Sequence, residues 1–450
     1  MPTQPLAAII LAAGKGTRMK SATHKVLHSV GGKAMISYLL DTVAGLKAAK
    51  TVLVVGAEKE QLVAAYPDME FVTQTEQLGT GHAAKVALDQ IGAFSGDIMV
   101  LFGDTPFIPA GTMAAMLEAM RSPNTGIVVL GFTPADPAKY GRLITDADGM
   151  LERIVEYKDA TEAQRAQTLC NSGVMMLSGA HAASWLADLK SDNAAGEYYL
   201  TDLVVLARTA GMNVSVVEAA EEDVMGINSR EDLARAEALK QTQWRTAAME
   251  AGVTMTDPTT VYFSHDTEIA ADVTIEPGVF FGPGVRVEAG ATIKAYSHIE
   301  GTVIRAGASV GPFARLRPGA DIGEGAKIGN FVEVKKSTIH AGAKVSHLSY
   351  IGDASVGAGA NVGAGTITCN YDGFLKYKTE IGAGAFIGSN SALVAPVTIG
   401  GGAIVAAGSV VTKDVTSDAL AVARGKQREI TGHAEKFRTE KAAEKAKKSK

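Results

Sequence analysis

The stretch Ala320-Asp-Ile322-Gly-Glu-Gly-Ala-Lys-Ile328-Gly-Asn-Phe-Val-Glu-Val334 decides the fold of the C-terminal half of the chain, because an aliphatic anchor returns at every sixth residue. The same step, with a few five-residue exceptions, recurs between Ile269 and Val411. A period of six is neither helical nor the alternation of a simple strand. It is typical of a β-solenoid in which each repeat is one short strand plus a turn. We expect three repeats to close one triangular coil, with the anchors stacked inside.

A polar stretch, Thr366-Ile-Thr-Cys-Asn370-Tyr371-Asp372-Gly-Phe-Leu-Lys376-Tyr-Lys378-Thr-Glu380, interrupts the period before it resumes at Ile381. A scaffold needs no such loop, and loops on rigid frames tend to carry function. His347 lies two residues after the anchor Val345, so we expect its side chain to point off the core. A histidine can take a proton from an attacking amine. From the spacing alone, however, a surface histidine without a role fits at least as well.

The N-terminal part, residues 1 to about 228, alternates between two patterns. Apolar runs indicate buried strands at Leu6–Leu11, Val52–Val55, Ile98–Phe102 and Ile127–Leu130. Helix-like stretches follow at Ile36–Leu46, Gly81–Ile91 and Gly111–Met120. This alternation predicts an α/β domain with a mostly parallel sheet. In such sheets, ligands bind beyond the carboxyl ends of the strands.

The patterns divide the chain into a domain over residues 1–228, a connecting helix over 229–250 and a solenoid domain over 251–450. Ser229, followed by Arg-Glu-Asp, indicates a helix N-cap with acidic residues in the first turn, and Gly252 ends the helical run. The six-residue period is lost from about residue 416. The stretch Glu435–Lys450 is dense in Lys and Ala, which predicts a frayed, solvated tail, with a functional basic patch as the alternative.

Composition limits the class of protein. The 450 residues carry a formal net charge of −5 and no strongly basic domain, which argues against nucleic-acid binding. Two cysteines, Cys170 and Cys369, permit at most one disulfide, so a reducing compartment is expected. No apolar run is long enough to span a membrane. We therefore expect a cytoplasmic protein that does not associate with membranes.

A glycine-rich turn, Ala12-Ala13-Gly14-Lys15-Gly16-Thr17-Arg18-Met19, follows the first strand. Such turns let backbone amides approach phosphates closely, although an ordinary β–α turn also explains Gly14 and Gly16 alone. Arg18 and Lys25 place two cations beside the turn, as a triphosphate requires. Asp104 ends a strong strand, and Mg²⁺ prefers one or two carboxylates together with phosphate oxygens and water.

Several motifs together resemble those of known enzymes. Leu11–Met19 with Lys25 is similar to the signature of sugar-1-phosphate nucleotidyltransferases, and further motifs follow in that family's order at Gln74–His82, Tyr140–Arg142, Ile154–Asp159, Asn171–Gly173 and Gly226–Asn228. With the solenoid, nearly the whole chain resembles the family of bifunctional N-acetylglucosamine-1-phosphate uridyltransferases/glucosamine-1-phosphate acetyltransferases. The resemblance implies a Rossmann-like, mixed but mostly parallel sheet, followed by a left-handed parallel β-helix of hexapeptide repeats.

For the N-terminal half, the resemblance implies uridylyl transfer from UTP to N-acetylglucosamine-1-phosphate with release of pyrophosphate. It implies that Lys25 and Arg18 stabilise charge on the phosphates and that Asp104 and Asn228 bind Mg²⁺. It also implies that Gln74, Gly79 and Thr80 hold the uracil, while Gly141, Glu156 and Asn171 hold the sugar. The full set implied to bind UTP or the nucleotide sugar is Leu11, Ala12, Ala13, Gly14, Lys25, Gln74, Gly79, Thr80, Phe102, Gly103, Asp104, Gly141, Glu156, Asn171 and Asn228.

For the C-terminal half, the resemblance implies acetyl transfer from acetyl-CoA to the amine of glucosamine-1-phosphate. His347 would be the general base, and Asn370 would stabilise the oxyanion. The residues implied to bind glucosamine-1-phosphate are Arg317, Lys335, Tyr350 and Asn361. Those implied to bind acetyl-CoA are Ala364, Asn370, Tyr371, Ser389, Ala407 and Arg424. Hexapeptide acyltransferases assemble their sites between subunits, which implies a homotrimer.

Two positions depart from the family pattern. His24 stands where Pro usually precedes the lysine, and Phe102 stands where Tyr is common. Three other hypotheses stay open. One is a single-function sugar-1-phosphate nucleotidyltransferase with a structural or regulatory β-helix, and another is a solenoid that acts only as a trimerisation and interaction scaffold. The third is a zinc hydratase, which needs three histidine ligands, whereas the repeats between Ile269 and Val411 offer only His298, His340 and His347, without the expected placement.

Overall fold

The computed structural model describes residues 4–147 and 149–448. The chain divides into two compact units, residues 1–244 and 245–450. Cys170 and Cys369 are both free thiols. Within the described ranges, no helix combines the length and the apolar character needed to cross a membrane.

Strands and helices alternate through the first unit, and the apolar and helix-like runs of the sequence lie within them, except that Leu46 follows the end of its helix. The strands are β1 (Leu6–Ala12), β2 (Ser29–Val30), β3 (Lys33–Ala34), β4 (Lys50–Val55), β5 (Glu70–Thr73), β6 (Asp97–Phe102), β7 (Thr125–Phe132), β8 (Arg142–Thr145), β9 (Leu151–Val155), β10 (Cys170–Ser178) and β11 (Asn213–Ala219). The helices are α1 (Met35–Gly45), α2 (Glu60–Ala65), α3 (Thr80–Ile91), α4 (Ala110–Met120), α5 (Glu162–Arg165), α6 (Gly179–Asp188), α7 (Leu203–Thr209) and α8 (Arg230–Glu250).

The main sheet of the first unit is mixed and mostly parallel, as predicted. Its strands lie in the order β11-β7-β10-β6-β1-β4-β5, with β8 and β9 attached beside β10. β1 pairs in parallel with β4 and β6, whereas β10 runs antiparallel to β6 and β7. In β1, Ala8 and Ile10 enter one hydrophobic core while Ala7 and Ile9 enter the other. Burial on both faces explains why β1 is a continuous apolar run in the sequence.

Helix α8 begins with the cap that the sequence indicates. The Asp232 backbone N–H donates to Ser229 Oγ at 3.1 Å, and the Ser229 N–H donates back to Asp232 Oδ2 at 2.9 Å. These two bonds satisfy donors that a helix N-terminus otherwise leaves unpaired. The division between the two compact units falls within the residue range of this helix, between Trp244 and Arg245.

The second unit is built from very short strands. They are β12 (Thr254–Met255), β13 (Glu268–Ile269), β14 (Thr274–Ile275), β15 (Phe280–Phe281), β16 (Arg286–Val287), β17 (Thr292–Ile293), β18 (His298–Ile299), β19 (Thr302–Ile304), β20 (Ser309–Val310), β21 (Arg315–Leu316), β22 (Ala320–Ile322), β23 (Lys327–Asn330), β24 (Glu333–Lys335), β25 (Thr338–Ile339), β26 (Lys344–His347), β27 (Tyr350–Gly352), β28 (Ala354–Val356), β29 (Asn361–Val362), β30 (Ile367–Cys369), β31 (Thr379–Ile381), β32 (Phe386–Ile387), β33 (Ala392–Val394), β34 (Val397–Ile399), β35 (Ile404–Val405), β36 (Val410–Val411) and β37 (Leu420–Ala421).

From β13 to β36, every third strand belongs to the same sheet, which is the pattern of a β-helix with three faces. Sheet 1 runs from β12 through β14 and β17 to β37, sheet 2 from β13 to β34, and sheet 3 from β15 to β36. Each anchor stacks on the anchor of the next coil in parallel register, as Ile322 does between Ile304 and Ile339. The anchors from Ile275 to Val411 are buried, so the six-residue period reflects one inward side chain per strand. The left hand implied by the resemblance stays a prediction.

The C-terminal segment differs from the frayed tail expected from the sequence. Val415 bridges Ile399, and β37 pairs with β35, so the solenoid continues past residue 416 although the spacing becomes irregular. Helix α9 (His433–Lys448) follows, and its described side chains are all exposed. Ala, Lys and Glu favour helix, and Glu444 lies 3.4 Å from Lys448 one turn later. The apolar periodicity used for the other helices is absent here, which is why the helix was not predicted.

Candidate functional site

The first candidate site is a cavity of about 310 Å³ at the carboxyl end of β1. It brings together many of the residues predicted to bind the nucleotide, although they come from separate loops after β1, β5 and β6. Its lining comprises Leu11, Ala12, Ala13, Gly14, Lys25, Val26, Gln74, Gln77, Gly79, Thr80, Ala83, Phe102, Asp104 and Glu197. Gly103 adjoins it, because its N–H donates to the Leu11 carbonyl at 2.9 Å. Arg18 lies nearby in the chain, on a short 3₁₀ turn, but does not line the cavity.

The glycine-rich turn is shaped to bring Lys25 close. Gly16 has a φ of +60°, and a Cβ added there would lie 2.7 Å from the Cβ of Lys25. Any side chain at position 16 therefore pushes Lys25 away, and the left-handed backbone also favours glycine. Gln77 supports the other side of the turn by donating from Nε2 to the Ala13 carbonyl at 2.6 Å.

Lys25, Asp104 and Asn228 form the polar centre of this site. Lys25 Nζ donates to Asp104 Oδ2 at 2.5 Å and to Asn228 Oδ1 at 3.2 Å. The side chains of Lys25 and Asp104 are only 12% and 19% exposed, so the ion pair is partly shielded from water. From the sequence, Lys25 is expected to bind phosphates, and Asp104 and Asn228 are expected to bind a metal; the structure brings all three together.

The two oxygens fit a divalent cation. Asp104 Oδ2 and Asn228 Oδ1 converge on one cationic position, which the Lys25 ammonium takes. Mg²⁺ typically takes one or two carboxylate or amide oxygens from the protein and completes its octahedron with phosphate oxygens and water. Among the described residues, no group of three or more His, Cys, Asp or Glu side chains is arranged to hold a metal by itself. A metal here would therefore need oxygens from a bound ligand.

The second glycine-rich turn, which precedes α3, is held by Gln74. Gln74 is buried, and its Nε2 donates to the Gly79 carbonyl at 3.1 Å and lies 3.0 Å from His82 Nδ1. Gly79 has a φ of +109°, and a Cβ there would lie 2.6 Å from the Tyr198 carbonyl. The turn therefore holds Thr80 at the start of α3, where the Gly81 N–H donates to the Tyr198 carbonyl at 2.8 Å.

The residues predicted to hold the sugar also come together. A Cβ added at Gly141 would lie 3.4 Å from Glu156 Oε1, and the Asn171 N–H donates to the Gly141 carbonyl at 2.9 Å. Burial raises the pKa of the Glu156 carboxyl, and the charges of Asp159 and Asp202 raise it further. The buried Arg142 holds this loop by donating to the carbonyls of Pro137, Ala138, Tyr140 and Arg165. Phe102 lies next to this cluster, because a Cβ at Gly173 would meet its ring at 2.9 Å.

The second candidate site lies on the solenoid and is centred on a hydrogen-bonded pair. His347 ends β26 and Asn330 ends β23, and the two residues are neighbours in register in sheet 1. His347 Nδ1 lies 2.6 Å from Asn330 Oδ1. Because an amide oxygen only accepts, this contact favours the neutral tautomer with the proton on Nδ1, in which Nε2 has a free lone pair. His347 is exposed, as the spacing from Val345 predicts.

A column of predicted cofactor residues continues from His347. His347, Ala364, Ser389 and Ala407 each lie two residues after an anchor of sheet 1 in successive coils. Their backbones are linked: the Ala364 carbonyl accepts from Asn390 at 2.7 Å and the Ser389 carbonyl accepts from Gly408 at 2.8 Å. Arg424 Nη1 donates to the Ala407 carbonyl at 2.7 Å, which caps the column. The sequence does not show this alignment, because the loop inserts extra residues between Ala364 and Ser389.

The residues predicted to bind the sugar phosphate lie mostly on sheet 3, whereas the column lies on sheet 1. Arg317 Nη1 donates to Glu333 Oε1 at 2.8 Å, and Glu333 pairs in register with Tyr350. The charge of Arg317, followed by that of Lys376, lowers the pKa of Lys335, so the three cations crowd one patch. Asn361 is the exception, since it lies on sheet 1 beside Lys344.

The interrupting loop contributes Asn370 and Tyr371 in different ways. Asn370 is buried, and its Nδ2 donates to Asp353 Oδ2 at 2.5 Å. Tyr371 is 59% exposed at the base of the loop, and Phe374 near its tip is 92% exposed. The loop therefore leaves the solenoid with large apolar side chains facing solvent.

Several residues of the two sites were missed from the sequence. Asn330 and Asp353 contact assigned residues, but a single Asn or Asp near a turn carries no signal of its own. Glu197 lines the nucleotide cavity although it lies far along the chain from the other lining residues. Gln77 belongs to a motif that was identified, so that motif was the available signal for it.

Comparison with known proteins yields matches to both halves. The family model described as a MobA-like NTP transferase domain matches residues 8–189, and the bacterial transferase hexapeptide model (six repeats) matches residues 301–336 and 378–413. The chain is 56% identical over 449 residues to the bifunctional protein GlmU of Paramagnetospirillum magneticum, covering 100% of both chains. It is 56% identical over 441 residues to that of Rhizorhabdus wittichii, covering 97% of this chain and 98% of the relative. It is 55% identical over 449 residues to that of Sphingopyxis alaskensis, covering 98% and 99%.

Proposed function

The chain belongs to the family of bifunctional GlmU proteins, and on that premise we propose that it makes UDP-N-acetylglucosamine in two steps. It is a bifunctional transferase with a nucleotidyltransferase half and a hexapeptide acetyltransferase half. The first proposed step acetylates glucosamine-1-phosphate with acetyl-CoA on the solenoid. The second transfers uridylyl from UTP to the resulting N-acetylglucosamine-1-phosphate in the N-terminal unit.

The observation that carries the acetyl-transfer proposal is the column that starts at His347. In the neutral tautomer that the bond to Asn330 favours, His347 Nε2 has a free lone pair, and it takes the proton from the amine as the nitrogen attacks the thioester carbon. Asn370 uses one Nδ2 hydrogen on Asp353 and offers the other to the oxyanion. The tetrahedral intermediate then collapses, the C–S bond breaks, and coenzyme A leaves as a thiolate that takes the proton back from His347. Ala364, Ser389, Ala407 and Arg424 lie in one line, which suits an extended pantetheine arm.

In the second proposed step, a phosphate oxygen of the sugar phosphate attacks the α-phosphorus of UTP and pyrophosphate leaves. The Gln74 amide and the backbone around Gly79 and Thr80 bind the uracil, while Gly141, Glu156 and Asn171 bind the sugar. Lys25 and Arg18 neutralise the phosphates, which is the main requirement of such transfers. Asp104 and Asn228 would hold Mg²⁺, which supplies further charge neutralisation to the phosphate oxygens when bound.

We also propose that three chains assemble the acetyl-transfer site. Its support is that His347 and the column beyond it lie on an exposed corner, with Tyr371 and Phe374 extending into solvent. A site that is open on one side is completed most simply by a neighbouring chain. The expected mass in solution is three times the chain mass of 46.7 kDa, measured by light scattering, and a monomer at assay concentration would exclude the trimer. A cytoplasmic location stays a prediction from the cysteine content.

Two variants with two assays test the pair of activities. Asp104→Ala is expected to abolish UTP-dependent pyrophosphate release and to leave release of coenzyme A thiol intact. His347→Ala is expected to do the reverse, and His340→Ala, a second exposed solenoid histidine, is the matched control that changes neither. If His347→Ala kept full acetyl transfer, a single-function nucleotidyltransferase with a structural solenoid would be the better hypothesis. Binding of Mn²⁺ with UTP, followed by electron paramagnetic resonance, is expected to weaken in Asp104→Ala and tests the metal site without turnover.

A further inference from the structure

The side-chain amide of Gln61 holds the loop that precedes Lys25 by two hydrogen bonds. Its Oε1 accepts from the His24 backbone N–H at 2.9 Å, and its Nε2 donates to the Ala22 carbonyl at 2.7 Å. One planar amide thus bridges two backbone groups of the segment that leads into Lys25. No motif of the sequence analysis includes Gln61.

Gln61 is itself well anchored. It lies in the first turn of α2, beside Leu62, which is completely buried in the hydrophobic core. Lys59, at the N-cap of the same helix, donates from Nζ to Thr73 Oγ1 at 2.8 Å and ties the helix start to β5. The Gln61 side chain is exposed, but the helix that carries it is fixed to the core on one side, and its amide contacts the 21–24 loop on the other.

The two hydrogen bonds of Gln61 fix the backbone directly before Lys25, and so the position from which Lys25 reaches the polar centre. His24 is the N-cap of the 3₁₀ turn Lys25–Leu27, and its carbonyl accepts from the Leu27 N–H at 2.9 Å. The next residue, Lys25, reaches Asp104 and Asn228 with its ammonium. A shift of His24 therefore moves the lysine on which the proposed phosphate binding depends.

We propose that Gln61 is a positioning residue for uridylyl transfer, which keeps the 21–24 loop ordered so that Lys25 meets the phosphates of UTP. The inference rests on the proposed role of Lys25 and adds a residue that acts on it through the backbone of the preceding loop. It also accounts for His24 at a position where the family pattern has proline. The φ of His24 is −55°, close to the roughly −65° that a proline ring imposes. A proline restricts the loop covalently and has no N–H, whereas His24 has an N–H and Gln61 accepts it.

The test is a double-mutant cycle on Gln61 and His24. Gln61→Ala is expected to raise the KM for UTP about three- to ten-fold, because a loop ordered only part of the time lowers the apparent affinity by that fraction. The kcat should stay within about two-fold, since the ordered loop is unchanged once UTP is bound. In Gln61→Ala/His24→Pro, the ring replaces the lost bridge and the KM is expected to return to within about two-fold of the parent.

The controls separate local from global effects. Val63→Ala, an exposed position on the same helix, is expected to change no kinetic constant, and acetyl transfer by the same preparations shows that the chain is folded. Tryptic cleavage at Lys20 in the native protein is a second readout, and it is expected to speed up in Gln61→Ala and slow again in the double variant. An unchanged KM in Gln61→Ala, or effects of the two substitutions that simply multiply, would overturn the proposal. A Lys25→Ala variant with normal uridylyl transfer would instead overturn the proposed function of the site, independently of Gln61.

Discussion

Removal of the Asn330 side chain should slow acetyl transfer by a predictable amount without abolishing it. The Asn330→Ala substitution deletes the acceptor that lies 2.6 Å from His347 Nδ1 and leaves the imidazole in place. A neutral hydrogen bond of this kind contributes a net stabilisation of about 1 kcal/mol. Without it, the ring no longer favours the tautomer with a free Nε2, and that loss corresponds to about a five-fold smaller population of base-competent enzyme.

The size of the loss in kcat distinguishes a residue that orients the His347 ring from the catalytic base itself. We expect kcat for acetyl transfer to fall about five- to twenty-fold in Asn330→Ala, with the KM for both substrates within about two-fold. His347→Ala should cost far more, about 10²- to 10⁴-fold, because the base itself is lost. In the double variant the loss should equal that of His347→Ala alone, since Asn330 acts only through the ring.

The assay is release of coenzyme A thiol with glucosamine-1-phosphate as the acceptor. UTP-dependent pyrophosphate release by the same preparation reports whether the chain has folded. A kcat unchanged by Asn330→Ala would refute the tautomer argument. Additive losses in the double variant would show that Asn330 contacts a substrate directly and is not a positioning residue.

Three further predictions concern the two units separately. Glu156→Gln should raise the KM for N-acetylglucosamine-1-phosphate and should also increase the melting temperature of the first unit at neutral pH. The pKa of the Glu156 carboxyl is raised, so its ionised form costs stability at that pH. A lower melting temperature would contradict this. Burial and the charge of Arg230 lower the pKa of His28, so the contribution of the neutral imidazole to stability is complete above the unfolded pKa of about 6.5 and is lost as the pH falls through and below that value. A His28→Asn variant should therefore lose less melting temperature between pH 7.5 and 5.5 than the parent protein. An equal loss would refute the assignment. Ile328→Ala should lower the free energy of unfolding of the solenoid by about 2–5 kcal/mol in urea titrations, because the side chain is completely buried between Val310 and Val345 of the neighbouring coils. A loss below about 1 kcal/mol would show that the coils collapse to fill the cavity.

The sequence predicts which residues line the nucleotide site better than it predicts which of their side chains contact each other. Ten of the residues assigned to nucleotide binding line one cavity, because glycine-rich turns after parallel strands meet at one edge of a sheet. The contact of Lys25 with Asp104 and Asn228 was not predictable, since these side chains are separated by 79 and 203 positions along the chain. Their approach depends on how β1, β6 and the start of α8 pack together, and no local pattern encodes that distance.

By itself, the sequence determined that the chain has an α/β half and a β-helix half, and where the sequence pattern changes from one to the other. A repeat of six residues forces one inward anchor per strand, and apolar runs followed by helical stretches force an α/β sheet, because both rules depend only on neighbours along the chain. Only the tertiary structure decided that His347, Ala364, Ser389 and Ala407 stand in one column, since a loop of irregular length hides their spacing. It also placed the Gln61 amide against the loop before Lys25 and the Asn330 amide against His347. Such supporting residues are selected by distance and hydrogen-bond geometry in three dimensions, and a lone amide side chain leaves no repeat or motif in the sequence.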